Sequence, residues 1–386
     1  MLGLFMVLPI FVLEARHYAG GEDATRVGIA MGIYGLVQAL LQIPFGVAAD
    51  RFGRKRVIQL GLILFVLGSL IGAFTQSLDG LTIARALQGC GAISAAVSAL
   101  LADQTREEVR TFGMALIGAS IGLMFALSLV LGPVFAGMGG LSTVFAVSFV
   151  LGLVAMAIVA WWTPTEVSIS EQAGQNTSGR APSGSLGTLL QPDLMRLNVG
   201  VFVLYCVQLA NWVAIPAMLS SAGVMPAQHG WVYLPAVLLS FVVMGGTLFP
   251  LERRGLLKPL FLGSILLVAL VELGWSWSVQ GAANIYCLEA LLFLFFCGFN
   301  ILEASQPSLA SKMANPSTRG ITMGVYNTLQ SLGIFAGAAG GAWLAKTYTS
   351  QAVFLVSTVL LLIWWVVAYP MNYTPAKLAK NSNEGA

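Results

Sequence analysis

Charge is what this sequence has least of. Only 9% of its 386 residues are Asp, Glu, Lys or Arg, where soluble domains carry roughly 25%. Apolar residues make up 57%, and the mean hydropathy is +0.84. A soluble core of this length could not hide so much apolar surface, so lipid is the solvent.

Cysteine and histidine are scarce as well. Cys90, Cys206, Cys287 and Cys297 lie inside apolar runs without metal-ligand spacing. They read as small core hydrophobes, which excludes a disulfide framework or a cysteine-built metal site. His17 and His229 fall in expected loops rather than at membrane depth. Gly118-Ala119-Ser120-Ile121-Gly122 has the spacing of a hydrolase elbow, but it sits mid-helix with no histidine within reach. No Walker A sequence is present, and basic residues are scattered among short loops. Enzyme chemistry, ATP hydrolysis and nucleic-acid binding are therefore not expected, and neither a cofactor nor a metal is implied.

No cleavable leader is expected, since Met1 to Leu13 has no basic start and no cleavage site. As a helix those residues rise only about 20 Å, against a hydrocarbon core of about 30 Å. Either the true start lies upstream or the first helix is incomplete, and a missing N-terminal turn or more is the expectation.

Long apolar runs are abundant. They predict helices near 1–13 (partial), 26–48, 57–74, 79–101, 111–136 and 141–162, then 197–219, 231–251, 259–277, 282–304, 320–344 and 352–371. The organisation read from this is a six-span bundle over 1–162, a linker over 163–196, a second six-span bundle over 197–372 and a tail over 373–386. The linker is rich in Ser, Gly, Thr and Pro, and Leu186 to Leu197 could form a short amphipathic surface helix.

Basic residues set the orientation. One set of alternate loops holds Arg51, Arg54, Lys55, Arg56, Arg106, Arg110, Arg253, Arg254, Lys258, Lys312 and Arg319, while the other holds Arg16, Arg26 and Lys346. Both termini and the linker are expected to be cytoplasmic.

The halves also contain an internal repeat. Met31-Gly32-Ile33-Tyr34, followed by Gln38, recurs as Met323-Gly324-Val325-Tyr326, followed by Gln330. The copies lie on the second and eleventh spans, which cross in opposite directions, as inverted repeats require. A weaker echo pairs Arg110 and Met114 with Arg319 and Met323.

Three motifs resemble those of the major facilitator superfamily, in its twelve-helix drug:proton antiporter branch. Gly46, Asp50, Arg51, Gly53, Arg54 and Lys55 are similar to the signature between helices two and three. Leu81, Arg85, Gln88, Gly89, Gly91 and Ala92 look like the fourth-helix motif. Ser128, Gly132, Pro133 and Gly137 partly match the antiporter motif of helix five, with Ser128 and Ala136 where glycines are usual. The resemblance implies an all-α membrane protein of two six-helix bundles related by pseudo-two-fold symmetry, a bacterial inner-membrane address and a small-molecule substrate. It also implies that helix five packs on helix eight, where Gly245-Gly246 would permit close approach.

Intramembrane charge is expensive and points to function. Arg85 lies well inside its helix, and Glu303 and Glu289 share the tenth span fourteen residues apart, near one face. These three are the proton-coupling candidates, with Glu303 first because it sits among Asn300, Gln306 and Pro307. Glu272 is on the ninth span, which in the resembled fold faces lipid, so it reads as a snorkelling or structural residue. Glu14, at a helix end, reads as solvated. Tyr34, Gln38, Gln208, Asn211, Trp212, Asn300, Tyr326, Asn327 and Gln330 are the candidate substrate-cavity residues, a few polar groups suited to amphipathic molecules. Gly132-Pro133 invites a kink in helix five. The glycine run from Gly337 to Gly341 would let helix eleven approach helix two.

The expected function is proton-coupled export of amphipathic small molecules by a monomer using alternating access. The alternatives are a sugar or amino-acid transporter, or a non-transporting receptor or scaffold. The Gly46–Lys55 loop is expected to act as a latch, with Asp50 facing the positive N-terminal end of the eleventh helix.

Overall fold

A computed structural model describes residues 1–91, 93–105, 107–163, 191–279, 284–313 and 319–371. Ala92, most of the linker and the tail from 372 lie outside the described residues. So do the side chains of Asp50, Arg110, Met114, Lys312 and Arg319. Every described element is a helix. The chain divides into two compact units, Met1–Ser183 and Gly184–Ala386. Eight helical stretches among the described residues are long and apolar enough to cross a membrane.

In the first unit, α1 (Leu2–Val7) and α2 (Phe11–Glu14) form the first span, broken around Pro9. The second and third spans are α3 (Ala24–Phe52) and α4 (Arg54–Phe74). The fourth, expected as one helix, is two: α5 (Leu78–Cys90) and α6 (Ser94–Gln104), interrupted where Gly91 leaves helical dihedrals. The fifth and sixth form α7 (Glu107–Trp161), with non-helical backbone at Gly139 and Gly140. Gly140 has φ +68°, which only glycine adopts cheaply.

The second unit follows with α8 (Pro192–Ser221), α9 (His229–Arg253), α10 (Leu257–Ser278), α11 (Ile285–Met313), α12 (Arg319–Thr347) and α13 (Ser350–Ala368). Pro192 to Leu197, the end of the expected surface helix, is the first turn and a half of α8.

The two units pack by the same scheme. In the first, α1 lies on α7, α3 on α5, and α4 on both α5 and α7. In the second, α8 lies on α12, α9 on α11, and α10 on both α11 and α13. By span number, pairs 1–5, 2–4, 3–6 and 3–4 are matched by 7–11, 8–10, 9–12 and 9–10. Lipid removes the usual hydrophobic drive between helices, so small residues that admit a neighbouring backbone do this work.

Gly132 admits the Met6 carbonyl of α1, 2.5 Å from where a Cβ would stand. Gly333 and Gly337 of α12 do the same for the carbonyls of Phe202 and Cys206 of α8, and Gly341 admits the Ala210 Cα. The glycine run therefore serves α8, and a methyl added at Gly245 or Gly246 would meet nothing within 4 Å among the described residues. Pro133 lies inside α7 in helical backbone, and the non-helical dihedrals at Gly139-Gly140 form the turn between the fifth and sixth spans.

Outward faces are apolar. Leu60, Ile63, Leu67, Leu70, Ile71 and Phe74 form an exposed stripe along α4, at the spacing of one helix face turned to lipid.

Candidate functional site

Each unit holds one buried charged group beside its copy of the repeated tyrosine. In the first unit it is Arg85. Two glycine contacts place α5: Gly89 against the Tyr34 carbonyl of α3, and Gly68 of α4 against the Ala84 carbonyl. Arg85 shares the face of Gly89, one turn away, so its guanidinium is delivered over the Tyr34 ring, 4.9 Å from the centroid. It donates to Gln88 Oε1 at 2.9 Å and to the Met31 carbonyl at 3.4 Å. Gln88 in turn donates to Ser69 Oγ at 3.0 Å. The Gln38 side chain reaches the Tyr34 hydroxyl. Arg85 is 1% exposed, its Nε has no partner, and no carboxylate pairs with it among the described residues.

In the second unit the charged group is Glu303 of α11. Tyr205 of α8 donates its hydroxyl to Glu303 Oε1 at 2.8 Å. Tyr326 of α12 is buried beside the same carboxyl, and Gln330 reaches the Tyr205 hydroxyl. Glu303, Tyr326 and Gln330, singled out separately in the sequence, thus meet at one place. Tyr205 was missed. It lies in an apolar run, and its only sequence signal is being a tyrosine at membrane depth.

The other candidates disperse. Glu289 is exposed in the second turn of α11, away from Glu303. Asn300 donates to Ser240 Oγ of α9 at 2.8 Å, an interhelical tie. Gln306 is fully buried, with neither side-chain atom bonded among the described residues. Gln208, Asn211 and Trp212 of α8 line a small pocket with Ile215 and with Leu292, Phe295 and Phe296 of α11. Asn327 is half-buried on α12.

Three expectations need correction. Glu272 does not face lipid: it is 0% exposed and accepts from Asn211 Nδ2 at 2.7 Å. The apolar surroundings of α10 gave no hint, because the partner comes from α8. His229 is likewise buried, opening α9 with Nε2 against the Val224 carbonyl at 3.2 Å. Glu14 is half-buried at the end of α2.

The charged turn between α3 and α4 is built on Gly53, at φ +93°, ψ 138°. That conformation joins the two helices with one residue and excludes a side chain. Lys55 donates to the carbonyls of Ala160 at 3.1 Å and Thr163 at 2.6 Å. A cation thereby caps the C-terminal end of α7. Below the turn, Ala49, Val57, Ile58, Ala96 and Leu100 form a core. Gly46 has open space around it, so it is not the point of close approach.

The sequence profile of the Major Facilitator Superfamily matches residues 1–338 and 197–385, which together span nearly the whole chain. The chain belongs to this superfamily. It is 38% identical over 375 residues to the inner membrane transport protein YajR of Escherichia coli K12, covering 97% of this chain and 81% of that protein. It is 28% identical over 396 residues to the multidrug resistance protein MdtH of Cronobacter sakazakii, covering 95% and 90%. The fold matches the crystal structure of the human organic anion transporter MFSD10 with a TM-score of 0.67 and 17% identity, over 95% of this chain and 97% of that one. As a superfamily member the protein is a multi-pass membrane transporter of small molecules, not an enzyme.

Proposed function

We propose that this transporter exports amphipathic small molecules from the bacterial cytoplasm across the inner membrane in exchange for protons. The observation that carries the reading is the Glu303 carboxyl, half-buried and bonded to the Tyr205 hydroxyl, with Tyr326 and Gln330 at its side. A carboxyl at membrane depth with a neutral donor, and with no cation beside it among the described residues, can exist with or without its proton. Changing between these forms changes the bonds that join α8, α11 and α12. The resemblance to YajR and MdtH supports the inner-membrane address and export.

In this reading Glu303 carries the proton. Arg85 keeps a fixed positive charge in the first unit, anchored by Gln88, Met31 and the Tyr34 ring. Glu289, exposed near the start of α11, is assigned the subsidiary role of proton entry. The Gln208–Asn211–Trp212 pocket gives the substrate the Gln208 amide against an aromatic wall, with the Asn211 amide already engaged by Glu272. The Asp50–Lys55 turn is the latch of the alternating-access cycle, pivoting at Gly53. The bias of basic residues puts both termini and the linker in the cytoplasm, and the protein works as a monomer.

The test is lumenal pH in proteoliposomes holding an outward proton gradient. Adding tetraphenylphosphonium is expected to speed dissipation of the gradient through the protein. A response to sugars or amino acids instead would favour a metabolite transporter, and no response to any compound would favour a scaffold. Either result would overturn drug:proton exchange.

A further inference from the structure

The Glu272–Asn211 pair leaves two atoms unaccounted for. Asn211 Nδ2 donates to Glu272 Oε1 at 2.7 Å. The remaining polar atoms of the same two side chains, Glu272 Oε2 and Asn211 Oδ1, are both buried and both without a partner. Each is an acceptor if Glu272 is ionised, and then neither can satisfy the other. Add one proton to Oε2 and it becomes an O–H donor, while Asn211 Oδ1 is the acceptor it needs. A carboxylic acid and a primary amide then close a ring of two hydrogen bonds, and both orphans vanish together.

The surroundings point the same way. Glu272 is 0% exposed and Asn211 2%. A bare carboxylate at this depth requires a cation or several donors, and one amide N–H is all it has. α13, packed along α10, carries no titratable or charged side chain. In the spans around it, α8 carries Asp193, Arg196, Tyr205 and Cys206, α9 carries His229, Tyr233, Glu252 and Arg253, and α11 carries Tyr286, Cys287, Glu289, Cys297, Glu303 and Lys312. Among the described residues none of these bonds to the Glu272 carboxyl; Asn211 alone does. On α10 itself the nearest cation in the chain is Lys258, about 21 Å away along the helix, lying over the Tyr369 ring.

We propose that Glu272 is held as a neutral carboxylic acid in a two-bond ring with Asn211, forming a second proton-holding site in this protein. The ring ties α10 to α8, the helix that also carries Tyr205, the partner of Glu303. Asn211 and Tyr205 are six residues apart, about 9 Å along α8. Loss of the Glu272 proton breaks one hydrogen bond and sets two acceptors facing each other, so it loosens the hold of α10 on α8. This inference stands whether or not Glu303 is the coupling group.

Infrared spectroscopy of the full-length protein in lipid tests it. At neutral pH, the wild-type-minus-Glu272→Gln difference spectrum is expected to contain the carbonyl stretch of a protonated carboxyl. That band should shift in heavy water and persist when Glu303→Gln is the background. Asn211→Leu is expected to keep the band but move it to higher frequency, because the ring bonds to the carbonyl are gone. Glu272→Gln can still pair reciprocally with Asn211, so its melting temperature should stay within a few degrees of wild type. A carboxylate signal in place of the acid band would overturn the neutral acid, and an unmoved band in Asn211→Leu would overturn the ring.

Discussion

Arg85 and Glu303 show what a single residue is asked to do in this protein. The guanidinium meets three acceptors at once, namely an amide oxygen, a main-chain carbonyl and an aromatic face. A lysine keeps the charge but cannot present that planar fork. Arg85→Lys is therefore expected to reach the membrane at wild-type levels yet lose about tenfold or more of its transport rate in proteoliposomes. Equal rates would show that charge alone suffices. For Glu303, the Tyr205 hydroxyl is the only donor bonded to it among the described residues. A hydrogen bond to a charged group contributes about 1.5–3 kcal/mol, which corresponds to roughly tenfold or more in rate. Tyr205→Phe, with its ring contact to Phe299 preserved, is expected to slow proton-driven transport by that factor while still reaching the membrane folded. If Tyr205→Phe transports as wild type does, Tyr205 is only a packing residue.

Among helices, backbone proximity is decided by single glycines. Gly337 stands where a Cβ would lie 2.1 Å from the Cys206 carbonyl, whereas Gly340 faces open space. Gly337→Ala must push α12 from α8 and is expected to cost about 1–3 kcal/mol. Gly340→Ala should stay within about 0.5 kcal/mol of wild type. Melting curves of the purified protein in detergent compare the two, and equal losses would refute the packing scheme. Gly53 is governed by dihedrals instead of space. Gly53→Ala must hold φ near +93°, at a cost of order 1–3 kcal/mol. Asp50→Asn beside it tests the latch. Cysteine accessibility at positions lining either side should shift between inward and outward states, and an unchanged balance would leave the turn with orientation alone.

Much of this was legible in the sequence because a bilayer imposes length and apolarity on every span. The repeat around Tyr34 and Tyr326 could be read because the same residues recur at the same spacing. What could not be read was partnership across helices. Glu272 was read as lipid-facing because the ninth span of the resembled fold faces lipid, and its partner Asn211 is sixty-one positions away in sequence. Tyr205 was hidden for the same reason. Gly337 and its neighbours announced a close approach, but the sequence does not say to which helix. The break at Gly91 depends on dihedrals that a run of small apolar residues leaves open, whereas the turn at Gly139-Gly140 falls in the gap expected between the fifth and sixth spans.

At the scale of the whole molecule, each unit repeats one packing scheme around a different charge: a permanent cation in the first and a carboxyl in the second. In the proposed exchange the proton is assigned to Glu303, because a carboxyl, unlike the Arg85 guanidinium, can gain and lose a proton at ordinary pH. The measurement that tests this most directly compares wild type with Glu303→Gln in proteoliposomes loaded with tetraphenylphosphonium. Two rates are followed: transport driven by a pH gradient, and substrate exchange without one. Glu303→Gln is expected to lose pH-driven transport by tenfold or more while exchange continues. Full pH-driven transport in Glu303→Gln would contradict the assignment of the proton to this site.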